Sequence, residues 1–321
     1  MVQSLIVRQP ANINDCMIVR RKEHWFRMLF VWHGSVVPRL LPRLSLLFLL
    51  SAAVVYFHGN VFSFKIPLNP APFTLFGFVL ALFLGFRNNA SYERFWEARK
   101  LWGALLNIHR SLTRQALTLL NPKADDAAIM EFVQLLSSFA YALKHQLRGT
   151  DAREDLSKRL SQEHWEAVCD AKYKPVILMK YLAGWVQKAK DAGQIDSIQQ
   201  ARFDENLDKL SDVVGGCERI ASTPIPYSYS VLLHRTVYIY CFLLPFGLVD
   251  SLGWFTPFIV VFIAYTFVAF EAIADEIEEP FGTEGNDLAL TKMSQMIEAT
   301  ILELAGRKVT IIEEGDLRFV D

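Results

Sequence analysis

Three stretches of this chain run for the length of a membrane span without a single Asp, Glu, Lys or Arg. Residues 44–64 and 66–86 make runs of 21 each, and residues 251–270 a run of 20. A fourth run, residues 236–249, is 14 long and is parted from the last by Asp250 alone. About 20 mostly apolar residues carry an α-helix across a bilayer. The fourth run reaches that length if it starts near Ser228 and takes His234 and Arg235 into its first turns. Arg235 then snorkels to the headgroups or faces the bundle interior. The expectation is four spans in two hairpins, set against the alternative of buried helices in a large soluble protein.

Composition agrees with this placement. Hydrophobic residues are 52% of the chain and charged residues 21%, which excludes a disordered polymer. With 33 basic against 34 acidic residues there is no overall basic field to attract nucleic acid. Basic residues also give the orientation. The connections 58–71 and 247–257 hold one cation between them, Lys65. Arg8, Arg20, Arg21, Lys22, Arg27, Arg39 and Arg43 precede the first span, and Arg87, Arg94, Arg99 and Lys100 follow the second. By the positive-inside rule both termini and the middle of the chain are cytoplasmic, with the spans in the plasma membrane, or the inner membrane of a bacterium. The first 16 residues lack the apolar core of a cleaved signal and read as a short cytoplasmic lead. Cys16, Cys169, Cys217 and Cys241 are widely spaced and read as free thiols.

The middle of the chain has ordinary polarity and helical periodicity. No Pro interrupts residues 87–120, so the second span is predicted to leave the membrane as one long helix that Asn121-Pro122 ends. Further helices are predicted over 127–147, 174–192 and 198–217, with a break at Ala192-Gly193 and another at Gly215-Gly216-Cys217. The whole reads as one all-α domain. A cytoplasmic segment (1–38) leads into a first hairpin (about 40–86), a helical cytoplasmic layer (about 87–227), a second hairpin (about 228–270) and an acidic turn with a tail (271–321).

Two features carry candidate chemistry. On the second span, Gly77, Ala81 and Gly85 form a small stripe at i, i+4, i+8, and Phe78, Leu82 and Phe86 form a large one beside it. Small stripes let membrane helices approach closely. The large stripe lines a hydrophobic constriction if copies of the chain surround an axis, and otherwise faces lipid or a neighbouring span. After the last span, Glu271, Asp275, Glu276, Glu278, Glu279, Glu284 and Asp287 occur with no intervening Lys or Arg. A carboxylate-rich turn suits a hard divalent cation such as calcium, though the spacing is not that of an EF-hand. The alternative is an acidic helix end in water or paired with nearby arginines. No nucleophile-elbow, zincin, Walker or dinucleotide motif is present, and the seven histidines do not pair at ligand spacing. The chain reads as no enzyme, and a heme or redox membrane enzyme ranks last among the readings.

Trp32-His-Gly-Ser35, Phe83-Leu-Gly-Phe-Arg-Asn-Asn-Ala-Ser-Tyr92, Gly215-Gly-Cys-Glu-Arg219, His234-Arg-Thr-Val-Tyr238 and Glu279-Pro-Phe-Gly-Thr283 together resemble the bestrophins, most closely their bacterial branch. The resemblance spans residues 17–305. It implies a homopentameric ion channel for small monovalent ions, with the lipid bilayer as its other partner. The neck would be Phe78, Leu82 and Phe86, and a cytoplasmic aperture would lie at Ile198. The wider family implies chloride, and the bacterial branch sodium or another monovalent cation. The calcium clasp of animal bestrophins would correspond to Glu276, Glu279, Glu284 and Asp287, with Glu here where those relatives carry amides before the proline. The competing reading is a membrane-anchored helical interaction or sensor protein without a pore.

Overall fold

The computed structural model describes residues 17–18, 24–28, 30–32, 35–58, 60–61, 64–65, 68–309 and 319–320. The expected cytoplasmic lead of 16 residues, with Cys16, lies outside them. The described residues are almost wholly helical, apart from two two-residue strand pairs, 17–18 with 319–320 and 60–61 with 64–65. In chain order the helices are α1 (Trp25–Met28), α2 (Val37–Tyr56), α3 (Pro70–Thr118), α4 (Asp126–Arg148), α5 (Arg153–Ser157), α6 (Gln162–Val168), α7 (Lys174–Asp191), α8 (Ser197–Ser222), α9 (Tyr227–Leu252), α10 (Thr256–Glu278) and α11 (Leu290–Leu304). Among the described residues three stretches are long and apolar enough to cross a membrane: α2, α3 and Tyr227–Glu278. The last is split by a single turn of 3-10 helix, Gly253–Phe255, into α9 and α10. The long second helix is observed as a continuous run of 49 residues.

The chain forms two compact units. One comprises residues 21–95 and 224–279, the other 1–20, 96–223 and 280–321. In the first, α10 packs against α2 and α9. Their larger core cluster is apolar: Leu40 and Leu44 from α2, Leu80 and Leu84 from α3, Leu233, Val237 and Leu244 from α9, and Val260, Ala264 and Val268 from α10. Helices approach closely where a side chain is missing. A Cβ on Gly247 would lie 2.7 Å from the Phe73 ring, and one on Gly77 would lie 2.8 Å from the Tyr240 hydroxyl. That hydroxyl donates to the Phe73 carbonyl at 3.2 Å.

The second unit is organised around α4, which packs against α7, α8 and α11. Phe132 of α4 stacks on Trp185 of α7 at 4.4 Å and meets Phe203 of α8 edge-on. Local signals set the helix ends. Asp125 caps α4 by accepting from the Ala128 N–H at 2.7 Å, and Gly149 closes it with φ 64°, a left-handed conformation that glycine adopts without a Cβ penalty. Asp196 and Gln199 form a reciprocal capping box on α8. Asp125→Ala is expected to cost about 1 kcal/mol, read as a lower denaturation midpoint with the helix count by circular dichroism unchanged.

The expected break at Gly215-Gly216-Cys217 is corrected, because α8 runs straight through it. A Cβ on Gly216 would meet Leu101 at 2.9 Å, so this glycine permits a close helix contact instead of ending a helix. The chain breaks later, at Thr223 to Pro226, where two prolines follow the last turn. The tail after the acidic turn also holds an unexpected helix, α11, which buries Leu290, Ser294, Ile297 and Ile301. Cys169, Cys217 and Cys241 are free thiols, and burial pushes the Cys217 thiol up to about 12.

Candidate functional site

The 49 residues of α3 carry two opposed faces. One is buried: Leu80, Leu84, Arg87 and Ser91 are each 3% exposed or less, and further along so are Ala98, Trp102, Leu105, His109 and Leu112. Successive steps of three and four residues keep these positions on one side of a helix. The other face holds the large stripe. Phe78, Leu82 and Phe86 are 70%, 48% and 60% exposed. At about 100° per residue, Phe78 and Leu82 each lie about 200° from Leu80, so the stripe points away from the core. One further turn along the same face come Asn89 and Glu93, both exposed, with the Asn89 amide donating to the Glu93 carboxylate at 2.9 Å. An outward stripe of aromatic and aliphatic side chains thus gives way to a polar stretch at Asn89.

The small stripe is divided. Gly77 lies against Tyr240, whereas Ala81 is exposed and a Cβ on Gly85 would meet nothing within 4 Å among the described residues. Leu80 and Leu84, which the sequence reading did not single out, make the buried contacts of this span. Ile198 sits on the first turn of α8 and is 75% exposed.

The acidic residues considered as cation ligands fall in both units, Glu276 and Glu279 in one and Glu284 and Asp287 in the other. Among the described residues no three His, Cys, Asp or Glu side chains converge to hold a metal ion. Each carboxylate on α10 has a basic partner. Glu276 accepts from Arg39 of α2 at 3.0 Å. Glu271, buried on α10, pairs with His234 Nδ1 at 2.6 Å. Asp275 and Glu278 both pair with Arg87. In the turn beyond, Asp287 is buried and its Oδ2 accepts from the Glu284 N–H at 2.7 Å, which closes the turn on itself. Glu279 is exposed.

These features define a polytopic helical membrane protein whose second span turns a large apolar stripe outward. The chain belongs to the bestrophin family: the family model described as "Bacterial/Fungal Bestrophin protein" matches residues 17–303. It is 55% identical to the voltage-dependent anion channel-forming protein of Ralstonia nicotianae over 290 residues, covering 90% of this chain and 95% of that one. The voltage-dependent anion channel-forming protein of Escherichia coli K12 is 42% identical over 288 residues, covering 90% and 94%. The crystal structure of a bacterial bestrophin homologue from Klebsiella pneumoniae superposes with a TM-score of 0.81 at 40% identity, over 84% of this chain and all of that one. Family and relatives are of channel-forming proteins, which places the chain outside the enzymes.

Proposed function

We propose that copies of this chain assemble as a homopentamer in the plasma membrane (the inner membrane of a bacterium), with both termini cytoplasmic, and conduct small monovalent ions. The observation that carries the reading is the exposed stripe of Phe78, Leu82 and Phe86 opposite the buried face of α3. On a lone protomer so large an apolar face finds lipid. Around a fivefold axis five copies of it make a narrow hydrophobic neck, of the kind that conducts only when wetted. Asn89 and Glu93 then mark the change from neck to a hydrated vestibule. Ile198, exposed on α8, is proposed as the lining of the cytoplasmic aperture.

The relatives' names support anions as the permeant species, with chloride the abundant one. A second reading, for cations such as sodium, is favoured by Glu93, which follows the neck stripe on the same face and adds a carboxylate per copy. Purified protein in planar bilayers under asymmetric NaCl separates them. A reversal potential close to the chloride equilibrium value is expected, and one close to the sodium value assigns the pore to cations. Absence of unitary currents, together with a monomeric or dimeric native mass, would return the chain to the pore-less sensor reading.

A further inference from the structure

A buried guanidinium ties the end of the last span to the helix that bears the stripe. Arg87 follows Phe86 directly and sits on the buried face of α3, 3% exposed. One of its terminal nitrogens bonds the Asp275 carboxylate and lies 3.4 Å from Glu278 Oε2. Glu278 is itself a hub. Its Oε1 accepts from the Ile225 N–H at 3.1 Å, and its carbonyl accepts from Arg94 Nε at 3.1 Å. Between these, the Asn88 amide donates to the Phe270 carbonyl at 3.1 Å and to the Leu84 carbonyl at 3.0 Å. Three side chains of α3 just past the stripe therefore grip the last two turns of α10 and, through Glu278, the entry to α9.

The grip is incomplete in one respect. Arg87 Nε is buried and has no hydrogen-bond partner among the described residues. Buried donors in native structures are nearly always satisfied, and an exception marks a place with a reason to be strained. A guanidinium cannot leave its carboxylates inside an apolar unit without a large desolvation penalty. Phe86 is one residue from Arg87, so it cannot turn about the axis of α3 unless the end of α10 follows or the clamp opens.

We propose that Arg87, with Asp275 and Glu278, is a positioning clamp for the neck. It fixes the rotation of α3 at Phe86 and makes opening depend on the last turn of α10. This rests on the reading of Phe78, Leu82 and Phe86 as the neck. The clamp governs how often the pore conducts, while the stripe governs how much passes.

The test is single-channel recording of the full-length protein in planar bilayers. Glu278→Gln is expected to shift open probability by about fivefold or more, the lower end of coupling between linked sites, with unitary conductance and reversal potential unchanged. Asp275→Asn is expected to shift it in the same direction. Its side chain is 61% exposed and its loss leaves Arg87 with Glu278, so this variant carries the test if Glu278→Gln fails to assemble. In a Phe78, Leu82, Phe86 triple-alanine background both shifts should vanish, because no neck remains to be positioned. Wild-type open probability in assembled Asp275→Asn and Glu278→Gln protein overturns the clamp alone. So does a shift that persists undiminished in the triple-alanine background, or one confined to unitary conductance. A triple-alanine channel with wild-type conductance and gating overturns the neck, and the clamp's role with it.

Discussion

Replacing Phe78, Leu82 and Phe86 together by alanine is expected to raise unitary conductance about tenfold, the effect of removing about 1.4 kcal/mol from the barrier to ion passage. The sign follows from the solvent. A constriction lined by aromatic and aliphatic side chains holds water weakly, and an ion crossing it must shed hydration that no polar group replaces. Truncation to Cβ widens the passage and relieves both difficulties. The change costs the protomer little, because all three side chains point away from its core and fill no cavity there. Protein yield and thermal stability should therefore stay near wild type while conductance rises and closure is largely lost. Leu80 and Leu84, on the buried face, provide the contrast: alanine at either should destabilise by about 2–5 kcal/mol without enlarging unitary current. Equal conductance in the triple variant and the wild type would mean that the stripe faces lipid.

The second large effect concerns stability. Glu298→Ala is expected to destabilise the chain by about 3 kcal/mol, or roughly 6–12 °C in melting temperature for a unit of this size. Glu298 of α11 receives both Nε and Nη2 of Arg159, at 2.7 and 2.8 Å, and the Tyr141 hydroxyl of α4 at 2.9 Å. The guanidinium lies 3.8 Å from the Tyr141 ring centroid. Beside it Asp155 accepts from Lys144 and His145, both at 2.8 Å. Removing Glu298 leaves a largely buried guanidinium with Asp155, 3.5 Å away, in place of its bidentate partner.

The pH dependence has a definite sign. Burial opposes ionisation of Glu298, but the hydrogen bond and charge of Arg159 outweigh it and hold this carboxyl below the ordinary range. For Asp155 burial is likewise overcome, by hydrogen bonds from His145 and Lys144 and by the charges of Lys144 and Arg159. Both groups are lowered on folding. Their stabilisation is complete above the unfolded-state values, near about 4, and is lost as pH falls through the folded values. Denaturant unfolding at pH 7 and at about pH 3.5 should show the wild type losing more stability than Glu298→Ala does, because the variant has one lowered carboxyl fewer to protonate. Equal losses would mean that Glu298 is not held ionised by its partners.

Much of the fold was legible because its signals are local. Run length located the spans, and Asn121-Pro122 and Ala192-Gly193 bounded the middle helices to within a few residues. What escaped depends on partners distant in sequence. Gly216 looks like a helix break until Leu101, more than a hundred residues away, is placed beside it. The buried face at Leu80 and Leu84 had no contrast to reveal it, since the second span is apolar all round and periodicity needs an alternation of polarity. Arg87 read as part of the basic flank of a span, although it is buried, as is Ser91. The acidic segment poses the opposite problem. Its residues cluster in sequence, but the helix carries them toward Arg39, His234 and Arg87, and a list of neighbours along the chain cannot show that. The outward stripe was legible as spacing, and its exposure needed the structure.

The buried face of α3 has a consequence for how this helix is seated. An all-leucine ridge would pack nearly as well after sliding by one heptad, about 10 Å along its axis. Two polar residues remove that degeneracy. In one unit Arg87 must meet Asp275 and Glu278. In the other, His109, fully buried, has one ring nitrogen 2.8 Å from the Leu105 carbonyl and the other 2.9 Å from the Leu136 carbonyl. A slide of one heptad would bring Leu80 or Arg94 to the first socket and Trp102 or Ala116 to the second. The first socket rejects Leu80, which strands the carboxylates, and the second rejects both registers, which leave the Leu136 carbonyl without its imidazole. A single polar residue in an apolar interface can set register in this way at some cost in stability. During insertion, when apolar helices find one another before their final contacts form, such pins reject near-miss alignments that hydrophobic packing alone would accept.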